Sequence, residues 1–158
     1  MTDPFVSRVG AVLSADIAVP EHERELRFYS RVLSTGVKPL WRDSDLLNNR
    51  GMPIIGVGAR GAEYAHLPIQ WMPHIQVADV AASARRALDL DGKELMHPRD
   101  SEGRSQWAVL LDPSGAAFGI IPVVSVEAPS PSDGAASRDH TAPVGRIAWL
   151  DLTVPDAT

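Results

Sequence analysis

Cysteine is absent from the 158 residues. Its absence excludes disulfide bonds, catalytic thiolates and thiolate metal sites. Positive charge is scarce as well, with 15 Lys and Arg against 20 Asp and Glu and no basic block. A protein that binds nucleic acid by neutralising phosphates normally has the opposite balance, so we expect no nucleic-acid partner.

Long apolar runs are also missing. No run reaches the roughly eighteen residues that span a bilayer. Asp16 interrupts the best candidate for a secretory signal, so we expect neither a membrane span nor a signal peptide. These absences favour a cytoplasmic protein. An apolar fraction of 44% over this length suits one globular domain with a buried core.

Hydrophobic patterns predict a strand, a helix and three strands, and then the same order again. The first unit spans residues 13–58 and the second spans residues 71–123. Pro20 opens the first predicted helix, and Asp79 is an N-cap for the second. The predicted strands lie at 13–19, 39–42, 46–49, 52–57, 71–77, 93–97, 105–111 and 116–123. The sequence thus predicts an α+β fold of two βαβββ modules.

The two units align residue by residue at their first strands. Val19-Pro20-Glu21 closes one strand as Val77-Ala78-Asp79 closes the other, and this register aligns Asp16 with His74. A third copy begins late in the chain, because residues 151–156 repeat the pattern of residues 16–21.

The segments outside the two units have their own predictions. Residues 1–12 are expected to form a flexible N-terminus, and residues 124–143 form a linker rich in Pro, Ser and Ala. Residues 144–158 are interpreted as the start of an unfinished third module.

The repeated order, the helix residues Phe28-Tyr29 and the turn Asp112-Pro113-Ser114-Gly115 resemble the vicinal oxygen chelate superfamily. This superfamily includes glyoxalases, extradiol dioxygenases, epimerases and bleomycin-resistance proteins. The resemblance covers about residues 13–123 and extends to the N-terminal half of tandem glyoxalase-like bacterial proteins. It implies two modules whose sheets curve around one cup-shaped pocket, but a fold does not determine a function.

The resemblance also implies where metal ligands would lie, and those positions lack good donors. Ser14, Met72 and Gly119 occupy three of them, and the fourth would fall within residues 52–58, which contain no acid, His or Gln. A divalent site needs three or four donors held together. We therefore expect no metal and no other cofactor.

Asp16 and His74 each follow a vacant ligand position by two residues, on the same strand face. Both are expected to point into the pocket. An acid beside an imidazole can orient and charge it, which gives a general base or a polar anchor for a ligand. Alternatively, the two side chains satisfy each other or bind water.

Four further residues are candidates for ligand binding. Gln76 shares the predicted face of His74. Trp41, Trp71 and Trp107 lie on different predicted strands, and indole rings suit the wall of a site for a flat ligand. The alternative for each tryptophan is core packing or a dimer contact.

Two local patterns fit function less well. Residues 56–61 read G-x-G-x-x-G after a strand, as in dinucleotide sites, but Pro68 leaves too little room for a crossover helix. Residues 97–103 form a polar loop, either a lid or a solvated hairpin. Ser14, Ser83 and Ser105 lack the context of a nucleophile elbow.

The sequence therefore predicts a metal-free protein that binds a small organic molecule, in the manner of drug- or metabolite-sequestering bleomycin-resistance proteins. One alternative is a metal-dependent lyase or dioxygenase whose ligands come from Asp16, His74 and a partner subunit. Another is a dimerising regulatory or interaction module in which the strand at 147–154 pairs with another chain. We expect a homodimer.

Overall fold

The computed structural model describes residues 8–33, 45–47, 53–124 and 150–151. Two helices and seven strands lie in these ranges, which confirms a fold that mixes α and β structure. They are β1 (Val12–Val19), α1 (His22–Leu33), β2 (Asp45–Leu47), β3 (Pro53–Ala59), β4 (Met72–Val77), α2 (Val80–Asp89), β5 (Lys93–Met96), β6 (Ala108–Leu111) and β7 (Ala117–Pro122). A short 3-10 helix spans Ala62–Tyr64. The strand predicted at 39–42 lies outside the described residues.

The ends of α2 follow from its sequence. The Asp79 carboxylate accepts a hydrogen bond from the Ala82 amide at 2.8 Å, which satisfies one of the free N–H groups at the helix start. The helix is followed by Gly92, whose amide donates to the Ala87 carbonyl at 2.9 Å. A Cβ at Gly92 would lie 2.7 Å from the Ala87 carbonyl oxygen, so only glycine fits this close approach.

The strands form one sheet in the order β2-β3-β1-β4-β7-β6-β5. Within each unit the first strand pairs in parallel with the last, β1 with β3 and β4 with β7. The antiparallel pairing of β1 with β4 joins the two units. The same pairing pattern thus occurs on both sides of that joint.

Helices cover one face of the sheet. Leu110 packs with Val80 and Ala84 of α2, whereas its neighbour Val109 packs with Leu67 and Met72. Successive side chains of a strand point to opposite faces. The cluster around Val109 therefore lies on the face away from α2.

The helix α1 is fixed to the other half of the sheet. Its first residue, His22, contacts the Val57 carbonyl through Nε2 at 2.6 Å. Leu26 and Tyr29 pack against the buried Val19 and Val57. Among the described residues, no helix is long and apolar enough to cross a membrane.

The strand β6 begins at Ala108 and not at the predicted position 105. Asp100 organises the loop that precedes this segment. Its carboxylate accepts hydrogen bonds from the amides of Glu102 and Arg104, each at 2.9 Å, and from Arg104 Nε at 2.8 Å. Ser105 forms only an isolated antiparallel bridge with Arg99, and continuous strand pairing starts at Ala108.

This network predicts a pH-dependent contribution to stability. The hydrogen bond from the Arg104 side chain, with those from backbone amides, lowers the pKa of Asp100 below its ordinary value of 3.8. A carboxyl with a lowered pKa stabilises the fold above its unfolded-state pKa and loses that effect as the pH falls through the folded-state value. Asp100→Asn should therefore lower the free energy of unfolding at neutral pH. In strong acid, the variant and the wild type should be equally stable.

Urea denaturation at a series of pH values measures the effect. The matched control is Glu102→Gln, which removes an exposed ion pair to the same arginine, 3.3 Å long. Such pairs contribute little, so the control should differ little from the wild type. A loss in Asp100→Asn that persists unchanged in strong acid would contradict the assignment.

Candidate functional site

A pocket of about 120 Å³ opens on the sheet beside the Val109 cluster. Strands of both units line it, and they contribute the carboxylate of Asp16 from β1 and the imidazole of His74 from β4. The apolar and aromatic part of the lining comprises Tyr64, Leu67, Met72, Trp107 and Val109. An apolar wall with a few convergent polar groups is the usual composition of a small-molecule site.

The structure brings Asp16 and His74 together, as predicted for their strand face. Asp16 Oδ2 lies 3.4 Å from His74 Nδ1. The His74 side chain is 10% exposed and the Asp16 side chain 44%. The β1–β4 pairing sets this contact, because Ser14 faces His74 while Asp16 faces Met72, so the two ionisable groups are diagonal neighbours.

The contact is electrostatic and lacks the geometry of a hydrogen bond. His74 Nδ1 is buried without a hydrogen-bond partner. Asp16 Oδ1 accepts a long hydrogen bond from the Ser14 hydroxyl at 3.4 Å, so the carboxylate is held on one side only. An unsatisfied buried polar atom costs about 1–3 kcal/mol.

Two glycines on neighbouring strands make room for the pair. Gly119 of β7 pairs with His74, and a Cβ there would overlap the imidazole ring. Gly56 of β3 pairs with Asp16, and a Cβ there would lie 2.5 Å from Asp16 Oδ1. The arrangement is the same in both units, in line with the sequence register that aligns Asp16 with His74.

The described residues do not fit a divalent metal. Gly119 is the position at which the resemblance implies a glutamate ligand, and the His74 ring fills the space beside it. Met72 is buried in the apolar cluster, and Ser14 bonds to Asp16. Within the described ranges, no group of three or more His, Cys, Asp or Glu is placed to hold a metal ion. Asp16 and His74 alone fall short of the three or four donors required.

Gln76 shares the buried face of β4 with Met72 and His74, as the alternation predicted. It does not line the pocket. Its side chain is fully buried, and Oε1 accepts a hydrogen bond from the Val124 amide at 3.1 Å. Gln76 therefore fastens the chain after β7 to the sheet.

The tryptophans have separate positions. Trp107 lines the pocket. Trp71 packs edge to face against Tyr29 beneath α1, with ring centroids 5.1 Å apart, because it precedes Met72 and points to the opposite side. Trp41 lies outside the described residues.

Sequence reasoning missed two contributions to the site. Tyr64 and Leu67 lie between the two predicted units, 13–58 and 71–123, yet both line the pocket. Their spacing of three residues on a helical turn was the available signal. A dinucleotide site with the motif G-x-G-x-x-G needs a helix directly after the motif. Here only the short 3-10 turn Ala62–Tyr64 follows, so this segment offers no helix N-terminus to a pyrophosphate.

Comparison with known proteins agrees with the resemblance. A family model described as glyoxalase-like domain matches residues 13–121. The chain therefore belongs to the glyoxalase-like domain family of the vicinal oxygen chelate superfamily. No curated protein matches the sequence.

The solved structures to which this chain is similar include methylmalonyl-CoA epimerases. One, in complex with methylmalonyl-CoA and NH4+, is 16% identical, with a TM-score of 0.49, and the match covers 77% of this chain and 100% of that chain. A variant of the Streptomyces coelicolor epimerase, in complex with 2-nitronate-propionyl-CoA, is 14% identical, with a TM-score of 0.48, over 75% of this chain and 100% of that chain.

The contact between Gly119 and His74 predicts that Gly119→Ala destabilises the protein. The added methyl group must displace a buried ring, and overpacking of this kind costs about 1–3 kcal/mol. Gly58→Ala is the matched control, because its Cβ would have no neighbour closer than the Ile17 carbonyl oxygen at 3.9 Å. The free energy of unfolding in urea measures both.

A double-mutant cycle identifies the cause. In a His74→Ala background the ring is gone, so Gly119→Ala should cost little. The same cost in both backgrounds would show that the methyl group collides with something other than His74.

Proposed function

We propose that this protein binds a small organic molecule in the pocket and does so without a resident metal. The observation that carries the proposal is the Asp16–His74 pair at the wall of an aromatic and apolar pocket. The half-exposed carboxylate is open to a ligand, and the buried, unbonded Nδ1 of His74 lies 3.4 Å behind it. The metal-dependent alternative has too few donors among the described residues.

The charges of the lining indicate the chemical class of the ligand. Among the described lining residues there is one carboxylate and no Lys or Arg. An anionic ligand would lack a permanent counter-charge, whereas an amine would pair with Asp16. Trp107 and Tyr64 add aromatic surface, which favours flat rings and attracts cations. We therefore propose a flat or aromatic molecule that is neutral or cationic and carries a hydrogen-bond donor.

The proposal includes the arrangement implied by the superfamily. In it, residues 13–123 form the domain, and the modules 13–58 and 71–123 curve around the pocket as a cup. Support comes from the lining, to which β1 and β3 contribute from one side of the β1–β4 joint and β4 and β6 from the other. The role that such binding would serve is sequestration of a drug or metabolite. The homodimer stays a prediction.

A paired ligand screen tests the proposal. Aromatic amines and the matching aromatic carboxylates are compared by ligand-observed NMR, with and without EDTA. We expect the amines to bind, the carboxylates not to bind, and EDTA to change nothing. Asp16→Asn should weaken amine binding by about tenfold, which corresponds to about 1.4 kcal/mol.

The matched control is Asp89→Asn, an exposed acid at the end of α2, on the covered face of the sheet. It should leave affinity unchanged. Failure of the whole screen on well-folded protein, binding that EDTA abolishes, or equal affinity in Asp16→Asn would each overturn the proposal.

A further inference from the structure

A second constellation of polar side chains lies at the β5–β6 hairpin, outside the residues that line the pocket. Glu94 Oε2 is 2.8 Å from His97 Nδ1, and His97 Nε2 is 2.8 Å from Ser105 Oγ. The hairpin creates this chain of contacts, since it pairs Ser105 with Arg99 and so brings the Ser105 hydroxyl within reach of His97. The carboxylate, the imidazole and the hydroxyl thus form the same sequence of contacts as the acid–histidine–serine triad that activates a serine nucleophile.

The hydrogen bonds define the protonation of the chain. The Glu94 carboxylate accepts, so Nδ1 of His97 carries the hydrogen. In the neutral ring Nε2 is then an acceptor, and the Ser105 hydroxyl donates to it. The His97 side chain is 6% exposed, so the ring is held in this orientation by both partners. Both distances lie within the range of about 2.6–3.2 Å that nucleophile and base require.

A positive charge stands beside the serine oxygen. Arg99 Nη1 donates to Ser105 Oγ at 3.4 Å and to the Gly103 carbonyl at 3.4 Å. A guanidinium there favours a negatively charged oxygen. The Asp100 network holds the loop that carries Arg99, so the groups are ordered before any substrate arrives.

We propose that Ser105 is a nucleophile that accepts acyl groups from small, activated carboxylic esters. Ser105 Oγ bonds to the ester carbonyl carbon while its proton passes to His97 Nε2. The carbon–alkoxy bond breaks, and the alkoxy group leaves as the alcohol with that proton. Water then attacks the acyl-serine, its proton passes through His97 to Oγ, and the carboxylic acid is released. Because Ser105 is half-buried, the acyl group is a small one.

Covalent labelling tests the proposal directly. The protein is treated with phenylmethanesulfonyl fluoride, whose sulfonyl group transfers to an activated serine with loss of fluoride, and the adduct is located by peptide mass spectrometry. We expect one adduct, at Ser105, and release of p-nitrophenol from p-nitrophenyl acetate. Ser105→Ala should lose both. Ser101→Ala, a change at an exposed serine of the same loop, should retain both.

The relay is tested through Glu94, which acts as a positioning residue. Glu94→Gln keeps Ser105 and His97 but removes the charge that holds Nδ1–H, so the labelling rate should fall at least about tenfold. Glu94→Asp should restore part of the rate. Thermal melting confirms that each variant is folded, and labelling should disappear in concentrated urea.

Three outcomes would overturn the proposal: no adduct at Ser105 on folded protein, labelling of Ser101 and Ser105 at the same rate, or wild-type labelling in folded Glu94→Gln. The pocket plays no part in this test. Its result is therefore independent of whether the amines bind.

Discussion

The antiparallel pairing of β1 with β4 is the contact on which the rest of the described structure depends. Each unit pairs its own strands, and the strand order shows that only the β1–β4 neighbours connect the two sets. Without that pairing the described sheet would separate into groups of three and four strands. Because Asp16 and His74 stand on these two strands, the joint that completes the sheet also assembles the ionisable pair of the pocket.

Glycines on the neighbouring strands make room for the Asp16 and His74 side chains. Gly56 and Gly119 leave space that Asp16 and His74 occupy, and any larger side chain would compete with them. At Gly119, where the superfamily resemblance implies a metal-binding side chain, this chain thus has a glycine beside the imidazole of His74. At Gly119 a donor is missing and the His74 ring occupies the space beside it.

The polar hairpin after β5 is held by side-chain hydrogen bonds, whereas the sheet is held by strand pairing. Its structure comes from local bonds to Asp100 and from the Glu94–His97–Ser105 chain, with little apolar burial. The strand predicted over 105–111 is continuous only from Ala108, and at its start Ser105 forms an isolated bridge with Arg99. The sequence motif for a nucleophilic serine is a local elbow, and Ser105 has none. Its partner His97 lies eight residues away, so the contact between them was not predicted.

The sequence by itself determined the strand and helix order of the second unit, the Asp79 cap, the Asp112–Gly115 turn and the shared face of His74 and Gln76. These are short-range matters of periodicity and capping, which a sequence records directly. Tertiary structure alone decided that Trp71 packs under α1 while Trp107 reaches the pocket, that Tyr64 and Leu67 join the wall, and that Gly119 makes room for His74. Each of these depends on which strands become neighbours, and contacts between distant residues arise only when the chain packs.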